Sequence, residues 1–304
     1  MAQDRRPWFK TLFCIRGSVI RAVMPRVGMC TGFALGITLL HQAGFAVSWP
    51  VLSSVVPSLV LGLLLVFRTN TSYERFWEGR KLWGTMINTV RNLARQIWVS
   101  VDTSRQSKEQ ALKLLLGFAI ATKQHLRYQP CAPELTHLLP PAQIDQLSGM
   151  NNPPLEIAFW LNDYLQIQQL KGRINPYQFQ AMTQQVNILV DTLGGCERIL
   201  KTPLPLSYSI HLKQLLVMYC MALPFQIVSE LNGWTIPVVA LVAFAVFGVE
   251  EIGLEIENPF GCDLNDLPLN EICQTMERNI QDLITLTPSI ETNEQQAWQI
   301  TALR

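Results

Sequence analysis

Six carboxylates crowd between positions 250 and 266: Glu250, Glu251, Glu255, Glu257, Asp263 and Asp266, with Asn258 and Asn265 among them. Oxygen donors at this density suit a hard cation such as Ca²⁺. The spacing is not that of an EF-hand, and helix capping with turn formation would use the same residue types. Both readings stand on the residues alone. The other reactive side chains are scattered. His41, His125, His137 and His211 lie far from one another and at no metal-ligand spacing to a second histidine or cysteine. Neither G-x-x-x-x-G-K-[ST] nor G-x-G-x-x-G occurs, so no glycine loop is present to cradle a phosphate, and there is no G-x-S-x-G elbow for a nucleophilic serine. The chemistry expected is therefore not enzymatic. Seven cysteines, an odd number with no C-x-x-C pair, read as reduced thiols used as small apolar residues.

The elements that would carry these residues are mostly apolar. Of the 304 residues, 49% are hydrophobic and 15% charged, well below the roughly 25% charge of an ordinary soluble domain. The net charge of +1 gives no footprint for nucleic acid. Four apolar segments predict membrane helices at about 27–47, 49–67, 213–230 and 234–252, each near the ~20 residues that cross ~30 Å of hydrocarbon. Short connectors, nearly free of charge, make them two hairpins. Helices buried in a soluble core are the competing reading.

Arg5, Arg6, Lys10, Arg16, Arg21 and Arg26 precede the first span, and Arg68, Arg75, Arg80 and Lys81 follow the second. The connector in the 40s has no lysine or arginine. By the positive-inside rule both termini and the region 68–212 face the cytoplasm. The basic, aromatic N-terminal stretch reads as an amphipathic lead-in and not as a signal peptide. Within 68–212 helices are expected over Tyr73–Val99, Lys108–Arg127, Leu155–Leu170 and Gln178–Leu193, the last stopped by Gly194–Gly195. Residues 253–304 form a C-terminal cytosolic segment. There is no internal repeat, which counts against inverted-repeat transporters.

One further pattern stands out. Leu59, Leu63 and Phe67 recur at i, i+4 and i+8 at the end of the second span, forming one stripe on a helix. Such a stripe faces lipid, a neighbouring helix or a pore. Thr69, Asn70, Thr71 and Ser72 follow it, either to cap a new helix or to line a wet vestibule.

The run from Arg68 to Gly84, R-T-N-T-S-Y-E-R-F-W-E-G-R-K-L-W-G, and the run from Glu257 to Asn270, E-N-P-F-G-C-D-L-N-D-L-P-L-N, resemble the bestrophin family, in particular its bacterial members and the related plant organellar channels. The stretch L-G-G-C-E-R-I-L-K-T-P-L-P from Leu193 and Leu223-Pro-Phe also match, so the resemblance covers roughly residues 8–285. It implies an all-α membrane protein with four spans and a large cytosolic helical region, assembled as a homopentamer around one pore that passes chloride-like monovalent anions. It also implies that Leu59, Leu63 and Phe67 are the apolar rings of the pore neck, and that Tyr177 occupies a lower cytosolic constriction. An acidic Ca²⁺ clasp of animal members falls on Glu255, Asn258, Asp263 and Asp266, with the acidic run interrupted by Cys262, Leu264 and Asn265; no cofactor is otherwise required. Some bacterial members favour cations, which remains the alternative selectivity. A coupled transporter and a non-conducting scaffold are the rivals from other classes. The expected location is the plasma membrane, or the thylakoid of a photosynthetic cell.

Overall fold

A computed structural model describes residues 14–49, 55–130 and 132–286. Arg5, Arg6 and Lys10 of the basic lead-in, the start of the second span, Cys131 and the end of the C-terminal segment lie outside the described residues. Those residues are helical almost throughout: α1 Ile20–Gln42, α2 Val55–Ser100, α3 Arg105–Leu126, α4 Ala132–Leu135, α5 Pro141–Ser148, α6 Pro153–Leu170, α7 Pro176–Lys201, α8 Leu206–Leu231, α9 Thr235–Glu255 and α10 Leu269–Thr285. They divide into two compact units.

The first unit holds α1, α2 as far as Trp77, α8, α9 and the turn that follows α9. Its core is a helical stripe from each element. Val23, Val27, Cys30 and Ala34 of α1 pack with Leu61 and Leu65 of α2, with Leu212, Leu216, Cys220 and Leu223 of α8, and with Val239, Ala243 and Phe247 of α9. The opposite faces expose Met24, Phe33, Leu35, Leu39, Met218, Leu241 and Phe244, among others. Helices apolar on both faces suit a lipid surround. Ile20–Gln42 and the 50-residue stretch Leu206–Glu255, which holds α8, a 3₁₀ turn and α9, are long and apolar enough to cross a membrane. Pro224 interrupts the hydrogen-bond ladder of α8. Beside it the Phe225 carbonyl accepts the Trp49 N–H at 2.9 Å, and Phe225 stacks edge-on to Phe33, which pins the connector between the first two spans onto α8.

Helix α2 departs from expectation. The second span and the helix expected over Tyr73–Val99 are one helix of 46 residues. At 1.5 Å per residue it is about 69 Å long, twice the hydrocarbon thickness. Thr69–Ser72 cap nothing. The Thr69 hydroxyl turns onto its own helix, donating to the Leu65 carbonyl at 2.9 Å one turn back, while Ser72 is buried.

The second unit holds the rest of α2, α3–α7 and α10. Its centre is α3, buried on nearly every side rather than along one face: besides Leu112, Leu115, Leu116, Ala119 and Ile120, the structure buries Gly117, Phe118, Ala121, Thr122, Lys123 and Gln124. Lys108 donates to the Trp98 carbonyl at 3.2 Å, and Lys123 pairs with Glu134 and with Asn270, so the two buried ammonium groups are satisfied. Helix α7 runs through Gly194–Gly195 to Lys201, eight residues beyond the expected end at Leu193. Gly195 is a close approach and not a terminus: a Cβ there would lie 2.9 Å from a methyl of Leu82 on α2. Leu269, Ile272, Cys273, Met276 and Ile280 of α10 form the buried stripe of a strongly amphipathic helix.

Candidate pore-lining site

Leu59, Leu63 and Phe67 lie on one face of α2 and are 69%, 54% and 55% exposed, while Leu61 and Leu65 on the other face are buried in the core of the first unit. Eight residues of helix spread the three side chains over about 12 Å. The face is apolar and uncharged from Val56 to Phe67, then becomes polar at Asn70 and Thr71, both exposed.

The helix is fixed at the point where this stripe ends. Arg68, the next residue, is 2% exposed. Its Nη2 donates to Glu257 Oε2 at 2.7 Å and its Nη1 to Ser209 Oγ at 3.2 Å. One turn earlier the Tyr208 hydroxyl donates to the Leu64 carbonyl at 2.6 Å. Two turns later Arg75 Nε donates to the Glu257 carbonyl at 3.1 Å, and Arg75 also bonds the Thr202 carbonyl. The pairing of Arg68 and Arg75 with Glu257 is a tertiary feature that neither their place in the basic flank nor the motif from Arg68 to Gly84 discloses.

The same C-terminal end of α9 that leads to Glu257 carries further buried charge. Glu250 and Glu251 are buried, and Arg26 of α1 lies 3.3 Å from one and 2.7 Å from the other. The middle of the span is uncharged as expected.

Tyr177 belongs to the second unit and is 83% exposed. It sits on the first turn of α7, where Asn175 Oδ1 accepts the Gln178 N–H at 2.8 Å and Gln178 Oε1 accepts the Asn175 N–H at 2.9 Å. That reciprocal box, with Pro176 at the first helical position, makes a rigid base for the ring. The helix begins two residues before the expected Gln178.

The acidic turn is organised by hydrogen bonds. Asp266 Oδ2 accepts the Asp263 N–H at 2.7 Å, and the Asp266 N–H returns to the Asp263 carbonyl at 3.1 Å. Glu255 Oε2 accepts from Asn265 Nδ2 at 2.6 Å, and the same amide donates to the Gly17 carbonyl at 3.3 Å. Asn258 is exposed beside them. Among the described residues no three His, Cys, Asp or Glu gather where they could hold a metal ion. As folded, the Asn265 amide already engages both the Glu255 carboxylate and the Gly17 carbonyl.

In the second unit Glu197 is the main charged hub. Its Oε1 is 2.7 Å from His125 Nε2 and 3.0 Å from Asn152 Nδ2, and its Oε2 is 3.2 Å from Lys201 Nζ. Burial pushes its carboxyl up, but the bonds from His125 and Lys201 outweigh this and hold it below the usual carboxylate range.

Among the described residues, an all-helical fold with apolar helices long enough to cross a membrane defines an α-helical membrane protein. More narrowly, the chain belongs to the bacterial and fungal bestrophin family, whose model matches residues 1–282. It is 55% identical over 298 residues to a voltage-dependent anion channel-forming protein of a Nostoc species, covering 97% of each chain. It is 57% identical over 291 residues to a Synechocystis protein of the same description, covering 94% of this chain and 95% of that one. A crystal structure of a bacterial bestrophin homolog from Klebsiella pneumoniae superposes with a TM-score of 0.81 at 27% identity, over 88% of this chain and all of that one.

Proposed function

We propose that the protein is a passive channel for chloride-like monovalent anions, assembled as a homopentamer whose central pore is lined by α2. The observation that carries this reading is the exposed apolar stripe Leu59, Leu63 and Phe67, on a helix whose opposite face is buried and whose exit is fixed by Arg68. Five copies would bring three apolar rings to a common axis. A short apolar constriction holds water poorly, so a small widening admits water and ions. The rings carry no charge, so the sign of the permeant ion is set by dipoles and charges outside them. The anion assignment draws on the two relatives at 55% and 57% identity, each described as forming an anion channel.

In this reading Tyr177 rings a second, cytosolic constriction, its phenol offering a hydroxyl to the passing ion. The basic residues around the first two spans support a topology with both termini in the cytoplasm, in the plasma membrane or, in a photosynthetic cell, the thylakoid. No cofactor takes part: the turn holding Glu255, Asn258, Asp263 and Asp266 acts as a hydrogen-bonded corner without Ca²⁺. The test is the reversal potential of the purified protein in a planar bilayer under a KCl gradient.

A further inference from the structure

A buried ion pair constrains α2 immediately after the stripe. Arg68 is almost fully buried, and Glu257, which receives it at 2.7 Å, keeps only 14% of its side chain exposed. The second oxygen of Glu257 accepts the Leu204 N–H at 2.9 Å, and its carbonyl accepts Arg75 Nε. One residue thus holds α2 at two points two turns apart, together with the chain entering α8. The stem of Arg68 lies on Gly253 of α9, where a Cβ would come within 3.2 Å of its Cγ. Glycine is what lets the guanidinium reach its carboxylate.

Successive residues of a helix point about 100° apart. Holding residue 68 against α8 and α9 therefore sets the direction in which 67, 63 and 59 point. A rotation or slide of α2 about its axis would first have to separate Arg68 from Glu257. The pair is also incompletely satisfied: Arg68 Nε is buried with no hydrogen-bond partner among the described residues. A guanidinium with one donor unpaired has something to gain from a second arrangement, which is what a two-state element requires.

We propose that Arg68 and Glu257 form a gating latch that sets the angle of α2 and so the open probability of the pore. Neither side chain meets the permeant ion; both are positioning residues. The inference rests on the reading of Leu59, Leu63 and Phe67 as the neck. A pair that served folding alone would alter assembly and melting temperature but leave gating untouched.

Single-channel recording in planar bilayers separates these roles. Glu257→Gln keeps the shape and removes the charge. It should shift open probability by about fivefold or more, the scale of a typical coupling between two states, with conductance and reversal potential unchanged. Arg68→Lys, which retains the charge and gives up the fork, should shift it less than Arg68→Gln. Ser209→Ala, which removes only the 3.2 Å bond, should give a small shift in the same direction and provides a reading if the charge variants fail to assemble. Wild-type open probability in assembled Glu257→Gln, or Arg68→Lys as severe as Arg68→Gln, would overturn the latch. So would a change of conductance in step with open probability. The neck is tested apart, by replacing its three residues with alanine: unchanged conductance there removes the neck even where Glu257→Gln alters gating.

Discussion

Glu197→Ala should destabilise the second unit by about 2–3 kcal/mol at neutral pH. The carboxylate joins three helices: His125 ends α3, Asn152 caps α6, and Glu197 itself lies on α7. Its side chain is 18% exposed, so the bonds from His125 and Asn152 are each worth about 1–1.5 kcal/mol. The Lys201 side chain is 63% exposed, and that i,i+4 pair adds only a few tenths. Losing Glu197 also frees Asn152, whose Oδ1 accepts the Leu155 N–H at 3.3 Å at the start of α6. In a chain of this size each kcal/mol moves the melting temperature by roughly 2–4 °C, so a fall of about 5–10 °C is expected. The effect has a pH signature. Because the folded carboxyl is held below the usual carboxylate range, its stabilisation is complete above that range and is lost as pH falls through the folded pKa. The wild type and Glu197→Ala should therefore differ fully at neutral pH and converge as the pH falls below the folded carboxyl's pKa. Thermal unfolding of the detergent-purified proteins, followed by circular dichroism across that range, gives the answer. Equal melting temperatures at neutral pH, or a gap that persists in acid, would refute the reasoning.

Replacing Leu59, Leu63 and Phe67 together by alanine should raise single-channel conductance several-fold, since the apolar rings that exclude water would be cut back; unchanged currents would place the constriction elsewhere. Cys262 is exposed, whereas Cys196 and Cys273 are buried with their thiols pushed up to about 12 by desolvation. A maleimide should accordingly label Cys262 in the folded protein and reach Cys196 and Cys273 only on unfolding, as peptide mapping of the labelled chain will show.

The stripe of Leu59, Leu63 and Phe67 was legible in the sequence because its period of four is a property of one helix. The long α2 was not, because Thr69-Asn-Thr-Ser is a run of short polar residues that more often starts or stops a helix. Only the tertiary setting turns Thr69 back onto Leu65 and buries Ser72. Gly194–Gly195 misled for a similar reason. A glycine pair reads as a stop, yet Gly195 is inside α7 because Leu82 leaves no room for a Cβ. Glu257 was hidden by distance and by company. It lies 189 residues from Arg68 and among five other carboxylates, and no local pattern tells the one that receives a buried arginine from those that close a turn.

The most direct test of the channel itself is the reversal potential of the purified protein in a planar bilayer under a KCl gradient. A shift to the chloride equilibrium potential is the expected result. A shift to the potassium potential would contradict the anion assignment, and a bilayer that carries no current at all would contradict the channel.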